Sequence, residues 1–167
     1  MNYSRISIIG ISGSGKSTLS RRLVKTGLPL FYMDQLFWKG NWQAVPETDY
    51  LREHTSLIEK PDWIIEGYVD KKMSDRLSRS HLVLYLDYSR FLCVWRIILR
   101  WIKHRKESRP ELPKEALEQF KWGYLWTVFT RAERECIEEA IEQSNPKNLI
   151  RFSNPKELES FLKTEFI

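Results

Sequence analysis

Residues 10–18 read GISGSGKST, and they continue the β-branched run ISIIG of residues 6–10. Gly10, four further residues and then Gly15-Lys16-Ser17 match the pattern G-x-x-x-x-G-K-[ST]. Glycines let a backbone turn its N–H groups inward around phosphate oxygens, and a helix that begins near Lys16 adds the positive end of its dipole. Leucines at helical spacing follow, so the stretch lies between a strand and a helix, as the pattern requires. It therefore predicts a binding loop for a nucleoside triphosphate.

The side chains of this loop have separate predicted roles. Lys16 reaches the β- and γ-phosphates, and the Ser17 hydroxyl ligates Mg²⁺, so ATP and Mg²⁺ are the expected cofactors. The alternative is a flexible serine-glycine turn, which fits less well between a strand and an amphipathic helix. The residues expected to hold ATP are Gly10, Ser12, Gly13, Ser14, Gly15, Lys16, Ser17 and Thr18.

The composition limits the classes of function. The 167 residues suffice for a single domain, 1–167, and 42% hydrophobic with 29% charged residues is typical of a globular chain. A formal net charge of +5 favours an anionic ligand, but it does not distinguish a nucleotide from a nucleic acid or a membrane surface. Two cysteines exclude a disulfide scaffold, and no apolar run approaches the roughly 20 residues of a membrane span. We therefore expect a cytoplasmic monomer or homodimer.

Strand and helix signals alternate along the chain. The predicted strands cover residues 6–10, 28–34, 62–68, 81–87 and 148–153. The predicted helices cover residues 16–26, 47–59, 70–79, 89–106, 115–143 and 154–164. Five short apolar strands separated by helices indicate an α/β fold whose parallel sheet is covered on both faces.

Two acids fall at the carboxyl ends of predicted strands, where ligands of open α/β sheets bind. Asp34 ends the second strand and Glu66 ends the third. Asp34 is a candidate for accepting the proton of a substrate hydroxyl, and Glu66 for holding the water shell of Mg²⁺ or acting as a base. The alternative for each is a solvated acid or a cap of a neighbouring turn.

Basic residues concentrate between positions 96 and 114. Arg96, Arg100 and Lys103 share one face of a predicted helix, where like charges repel unless an anion lies between them. We interpret this segment as a lid whose arginines close over the transferred phosphoryl group, although a solvated basic face would give the same pattern. The candidate arginines are Arg100, Arg105 and Arg109, with Arg131 on the returning helix as a substrate contact.

Tryptophans offer a candidate wall for the phosphate acceptor. Trp38 and Trp42 lie in the loop-like stretch DQLFWKGNW after Asp34, and they are the better candidates for stacking on an acceptor. Trp122 and Trp126 lie four residues apart on a predicted helix, and for them we expect core packing instead.

These parts together resemble the adenylate-kinase-like branch of P-loop proteins, and within it the bacterial DNA topology modulation proteins, a group of small kinase-like proteins. The matching segments are GISGSGKST, YMDQLFW, WIIEGY, LYLDYSRFLCVWR and ESRPELP. The resemblance implies a three-layer P-loop NTPase fold with a five-stranded parallel sheet of order 2-3-1-4-5. It also implies an acceptor-binding arm at about residues 35–60 and an arginine-bearing helical lid at about residues 100–115.

The resemblance implies further site residues. WIIEGY occupies the place of an acid-glycine-aromatic sequence in adenylate kinases, which puts Tyr68 beside the acceptor. No arginine follows directly, so Arg76 is expected to take over the acceptor contact. Asn154, in the turn after the fifth strand, is expected to border the adenine by the same analogy.

The sequence therefore predicts an ATP-dependent phosphotransferase whose acceptor is a nucleoside, a nucleotide or a similar small polar molecule. No N-K-x-D motif for reading guanine is present, which argues against a GTPase. The alternative function is an ATP-regulated nucleic-acid-binding protein that modulates DNA topology, with the basic segment on phosphates and Trp38 or Trp42 on bases.

Overall fold

A computed structural model describes residues 3–39, 42–104, 122–130 and 132–166 of the chain. Its main feature is a sheet of five parallel strands, beside a separate antiparallel hairpin. The strands are β1 (Arg5–Gly10), β2 (Leu30–Tyr32), β3 (Trp38–Lys39), β4 (Gln43–Ala44), β5 (Trp63–Glu66), β6 (Leu82–Leu86) and β7 (Leu149–Phe152). The parallel sheet has the order β2-β5-β1-β6-β7, and β3 pairs with β4. Counted among the five parallel strands, this confirms the predicted order 2-3-1-4-5.

The central strand β1 shows that both faces of the sheet are covered. Ile6, Ser7, Ile8 and Ile9 are all fully buried, although successive side chains of a strand point to opposite faces. The one hydroxyl among them is satisfied, since Ser80 Oγ donates a hydrogen bond to Ser7 Oγ at 2.9 Å. The sheet is therefore the middle one of three layers, and the carboxyl ends of its strands meet at one edge.

Helices connect the strands in the alternation that the sequence predicts. Those of the described residues are α1 (Lys16–Leu23), α2 (Met33–Phe37), α3 (Glu47–Ile58), α4 (Asp75–Arg79), α5 (Arg90–His104), α6 (Trp122–Phe129), α7 (Ala132–Ser144) and α8 (Pro155–Glu165). Two 3₁₀ helices, Val24–Thr26 and Lys71–Met73, follow α1 and precede α4. Helix α1 packs on β1 and β5, and α4 and α7 also contact β1.

The predicted second strand is wrong at its carboxyl end. It was expected over residues 28–34, but β2 ends at Tyr32 and Asp34 lies in the first turn of α2. An acid in the first turn of a helix is stabilised by the helix dipole, so the position suits Asp34. The change matters for function, because Asp34 sits on a helix that leads into the hairpin rather than at a strand end.

The helix predicted over residues 115–143 is also wrong as a single element. Helices α6 and α7 are separate, with a turn at Thr130 between them. The apolar pattern explains the break. Val128 is buried on α6 and Ile137 on α7, nine positions later, which is about two and a half helical turns. One straight helix would point these two side chains in opposite directions.

The expectation that Trp126 packs in the core is wrong. Its side chain is 67% exposed and stacks on Phe129, with ring centroids 6.2 Å apart, so it does not pack in the core. The side chain of Trp122 lies outside the described residues. Among the helices that the structure describes, none is long and apolar enough to cross a membrane.

Candidate phosphate and acceptor site

The loop over residues 10–18 lies so close to its neighbours that two of its positions accept only glycine. Gly13 has a φ of +80° and Gly10 a φ of +148°. A Cβ atom on Gly13 would lie 2.3 Å from the carbonyl oxygen of Cys93, and one on Gly10 would lie 2.7 Å from that of Leu86. The glycines therefore let the loop rest directly against α5 and against the end of β6.

The start of α1 directs hydrogen-bond donors towards the loop. Gly15 precedes the helix with a φ of +103° and supplies no side-chain cap, which leaves the first-turn amides without one. Lys16 Nζ donates to two carbonyl oxygens of the loop, at 2.9 and 3.2 Å. Arg96 Nη1 on α5 donates to the carbonyl oxygen of Ser14 at 2.9 Å. Uncapped amides beside two cations form a donor set that suits phosphate oxygens.

A cavity of about 750 Å³ opens over this loop, and we call it the loop cavity. Residues 12–18 line it, so the structure brings together most of the predicted triphosphate residues. The basic face of α5 also lines this cavity, and it consists of Arg96, Arg100 and Lys103, as their spacing predicts. The described cations of the loop cavity are Lys16, Arg21, Arg22, Arg96, Arg100 and Lys103, and its acids are Asp34, Glu66 and Glu159. The excess of cations suits a polyphosphate ligand.

Ser17 and Glu66 lie in the loop cavity together. Glu66 is the last residue of β5, pairs in register with Ile8 of β1, and is only 5% exposed. No group of three or more acidic, histidine or cysteine side chains that could hold a metal occurs in residues 3–39, 42–104, 122–130 and 132–166. A serine hydroxyl and one carboxylate fit Mg²⁺, which keeps waters and takes phosphate oxygens. Their ligation of Mg²⁺ stays a prediction.

A second cavity, of about 770 Å³, lies beside the first, and we call it the aromatic cavity. Four of its aromatic rings form an unbroken series of edge-to-face contacts. Tyr50 and Phe37 have ring centroids 5.1 Å apart, Phe37 and Trp38 4.7 Å, and Trp38 and Trp42 5.5 Å. Tyr68 also lines this cavity, so three predicted acceptor contacts, Trp38, Trp42 and Tyr68, lie around one space. The hairpin that follows α2 places the two tryptophans there, and the turn after β5 places Tyr68.

The two cavities share part of their lining. The residues that line both are Ser12, Lys16, Asp34 and Arg100. A ligand in the loop cavity and a second ligand in the aromatic cavity would therefore meet between the ammonium of Lys16 and the carboxylate of Asp34. Among the described residues, the Asp34 carboxylate has no hydrogen bond or ion pair, which leaves its oxygens available to a ligand.

Arg76 was expected to contact the acceptor, but it lies beneath the cavity. Its side chain is 0% exposed and lines neither cavity. Nη2 donates to the carbonyl oxygens of Gly67 and Tyr68, at 3.2 and 3.3 Å, while Nε and Nη1 have no partner among the described residues. Arg76 therefore supports the turn that carries Tyr68.

Buried polar groups surround this guanidinium. Burial lowers the pKa of Arg76 to about 10, against the opposing effects of Tyr50 and Glu66, so the group stays protonated at neutral pH. Burial, together with the charge of Arg76, lowers the pKa of His54 on α3 to about 3, and His54 is therefore neutral. Burial also raises the pKa of Tyr50.

The remaining predicted residues are placed differently. Asn154 caps α8, since its Oδ1 accepts hydrogen bonds from the backbone N–H groups of Lys156 and Glu157 at 3.0 and 3.1 Å. Its neighbours Pro155 and Leu158 line the loop cavity instead. The side chains predicted to come from the lid and the returning helix, Arg105, Arg109 and Arg131, lie outside the described residues.

Glu133 belongs to the site, although no sequence pattern indicated it. From the first turn of α7, its carboxylate accepts the backbone N–H of Ser12 at 2.7 Å and the hydroxyl of Ser12 at 3.1 Å. The next residue, Arg134, pairs with Asp87 at 2.9 Å and donates to the carbonyl oxygen of Tyr88 at 2.8 Å. These contacts join residues far apart in the chain, so no local pattern could have revealed them.

The fold has known counterparts. A shikimate kinase from Acinetobacter baumannii, solved in complex with shikimate, superposes with a TM-score of 0.56 and 14% identity, over 99% of this chain and 97% of that one. Shikimate kinases from Bacteroides thetaiotaomicron (TM-score 0.55, 15% identity, 97% of this chain and 96% of that one) and from Aquifex aeolicus (TM-score 0.50, 16% identity, 96% of both chains) also superpose.

Comparisons that use only the amino-acid sequence find no relative. No family model and no curated protein matches the chain. The resemblance to DNA topology modulation proteins therefore stays a prediction. At 14–16% identity the structural likeness establishes the fold alone, and the chain has the α/β P-loop fold of shikimate kinases.

Proposed function

We propose that the protein is an ATP-dependent phosphotransferase that acts on a hydroxyl group of a small molecule. The observation that carries the proposal is the meeting of the two cavities at Ser12, Lys16, Asp34 and Arg100. Amides and cations on one side suit a phosphoryl group, and an unpaired carboxylate on the other suits a hydroxyl. The likeness to shikimate kinases, which share the fold, supports the same class of reaction.

The residues divide the work as follows. Lys16 and Arg100 stabilise charge that develops on the phosphoryl group, and Asp34 orients the acceptor hydroxyl and accepts its proton. Ser17 and Glu66 hold Mg²⁺, directly or through its water shell. Bound ATP supplies the phosphoryl group, and we place its adenine end towards Tyr88, Pro155 and Leu158, which also line the loop cavity. The lid arginines Arg105 and Arg109 remain candidates for closing the site.

Substitution of Lys16 tests this function. We expect Lys16→Ala to reduce acceptor-dependent formation of ADP at least about a hundredfold, because a preorganised cation at the transferring group is removed. Lys25→Ala is the matched control, since Lys25 is exposed in the 3₁₀ helix Val24–Thr26 outside both cavities. Circular dichroism establishes that both variants are folded. Equal activity of Lys16→Ala and wild type, or no phosphate transfer by the wild type to any acceptor class, would contradict the proposal.

A further inference from the structure

We infer that the acceptor is an alcohol with a flat ring and no acidic group, an inference that rests on the proposed phosphotransferase function. It concerns the aromatic cavity and the charges on its walls. A phosphorylated or carboxylated acceptor, in contrast, would need a cationic partner in that cavity.

The walls away from the loop are mostly apolar. The apolar and aromatic side chains of the aromatic cavity are Phe37, Trp38, Trp42, Val45, Tyr50, Leu51, Tyr68 and Met73. The edge-to-face series from Tyr50 to Trp42 fixes the rings against one another, so they form a wall that is already ordered for a planar ligand. A flat ring gains both apolar contact and favourable ring-to-ring geometry against such a wall.

The charges on these walls oppose an acidic ligand. The carboxylates of the aromatic cavity are those of Asp34, Glu47, Asp70 and Glu133, and its cations are Lys16, Lys72 and Arg100. Lys72 is paired with Glu47, which also lines the cavity. Lys16 and Arg100 also line the loop cavity, where the proposed triphosphate would engage them. Among the described residues that line the aromatic cavity and not the loop cavity, three carry carboxylates, Glu47, Asp70 and Glu133, and one carries a cation, Lys72, which is paired with Glu47.

One buried guanidinium, that of Arg76, lies close enough to the cavity for its charge to act on Tyr50 of the cavity wall, but it is not part of the lining. Arg76 is fully buried, its Nη2 is held by the carbonyl oxygens of Gly67 and Tyr68, and it lines neither cavity. Since Arg76 does not line the aromatic cavity, it offers an anion there no direct hydrogen bond. An acidic acceptor would then lie against Asp34, Asp70 and Glu133, and juxtaposed like charges disfavour binding.

The residues at which the two cavities meet suit the transfer of a phosphoryl group to a hydroxyl. The acceptor oxygen bonds to the γ-phosphorus of ATP while the bond from that phosphorus to the β–γ bridging oxygen breaks, so ADP leaves. The hydroxyl proton passes to the carboxylate of Asp34. A ring seated against Trp38 and Trp42 would hold such a hydroxyl at the shared lining.

Matched acceptors test the inference. We would measure kcat/KM from ADP release and confirm the phosphorylated product by mass spectrometry, using thymidine, cytidine, adenosine and guanosine, their 5′-monophosphates, and shikimate. We expect transfer to at least one uncharged nucleoside, with kcat/KM at least about tenfold lower for its monophosphate and for shikimate, since repulsion from the cavity carboxylates is added. A monophosphate or shikimate as the best substrate would overturn the inference but leave the phosphotransferase function standing. If phosphate were transferred to no nucleoside, to no monophosphate and not to shikimate, both the inference and the proposed phosphotransferase function would be overturned.

Two variants test the aromatic wall separately. Trp38→Leu should raise KM for the accepted nucleoside about tenfold, and Trp38→Phe should restore most of the loss, because stacking on an aromatic ring is what the change removes. Trp95→Leu is the matched control, because Trp95 is 58% exposed on α5 and lines neither cavity. An unchanged KM in Trp38→Leu would show that the ring does not lie against this wall, and the inference would fall.

Discussion

A methyl group added to Gly13 should destabilise the protein far more than one added to Gly27. Both glycines have nearly the same left-handed backbone, with φ values of +80° and +84°. Any alanine in this region costs about 1–2 kcal/mol of folding free energy. At Gly27 the new Cβ meets no atom within 4 Å, so that cost is all we expect.

At Gly13 a steric cost is added to the conformational one. The Cβ would lie 2.3 Å from the Cys93 carbonyl oxygen and 2.9 Å from Ile97 Cγ1, both on α5. Backbone cannot rotate out of the way as a side chain can, so α5 must shift, and overpacking of this kind costs about 1–3 kcal/mol more. We therefore expect Gly13→Ala to lose about 2–5 kcal/mol in total, against about 1–2 kcal/mol for Gly27→Ala.

Thermal unfolding followed by circular dichroism measures the difference. For a chain of this size each kcal/mol corresponds to about 2–4 °C in Tm, so Gly27→Ala should melt a few degrees below wild type and Gly13→Ala roughly twice as far below it. Urea unfolding gives the free energies directly if fluorescence and circular dichroism report the same transition. Equal losses in the two variants would refute the close contact between the loop and α5.

Three further predictions concern single groups. Since burial and the charge of Arg76 lower the pKa of His54 to about 3, the unfolded chain binds a proton below pH ~6.5 that the folded chain does not. The stability that depends on neutral His54 is therefore complete above that pH and is lost as the pH falls, by about 1.4 kcal/mol per pH unit between pH ~6 and ~4. In urea unfolding, the free energy of unfolding of His54→Leu should lack this part of the dependence on pH. The same dependence on pH in the variant and in wild type contradicts the prediction. Glu133→Gln should bind Mg-ATP several-fold more tightly with little change for ADP, because it removes the negative charge held against the Ser12 amide, next to the place proposed for the γ-phosphate; calorimetry that finds both affinities unchanged contradicts it. Ser17→Ala should raise the Mg²⁺ concentration needed for half-maximal activity, and an unchanged requirement would exclude Ser17 as a ligand.

Local patterns were sufficient for the parts of the site that the backbone builds. The loop depends on glycines at fixed offsets between a buried strand and a helix, and those offsets are visible in the sequence. The basic face of α5 follows from helical spacing alone, and Arg96 and Arg100 do line the loop cavity together. The sheet order was implied by the resemblance, whose matching segments are distributed between residues 10 and 113.

Contacts between distant segments were not predictable in this way. Glu133 reaches Ser12 across 121 positions of sequence, and no periodicity connects them. Arg76 was recognised as a cation, but the sequence does not show that it is enclosed beneath the Gly67–Tyr68 turn. The apolar run that continues to Met33 predicts a strand that reaches Asp34, whereas in the structure Met33 is buried in α2. Burial and turn direction depend on the tertiary structure, which overrides local preference.

The excess of positive charge provides the last test, because it also motivated the alternative of nucleic-acid binding. In the structure the basic residues Arg96, Arg100 and Lys103 line a cavity of about 750 Å³ beside the phosphate loop. A space of that kind suits one nucleotide, whereas strand-binding proteins use a groove of several nucleotides. If these cations serve a triphosphate, a single-stranded oligonucleotide should bind only weakly and should be displaced by Mg-ATP.

Fluorescence anisotropy of a labelled oligonucleotide measures this competition directly. We expect weak binding at physiological salt, a steep loss with added salt, and complete displacement by Mg-ATP, because both ligands use the same cations. Lys103→Glu should weaken ATP and oligonucleotide together, whereas Arg79→Glu, on the exposed end of α4 outside both cavities, should weaken neither. Tight oligonucleotide binding that survives saturating Mg-ATP would mean that the basic face of α5 has a partner other than a triphosphate, and the proposed role of Arg100 in phosphoryl transfer would then lose its main support.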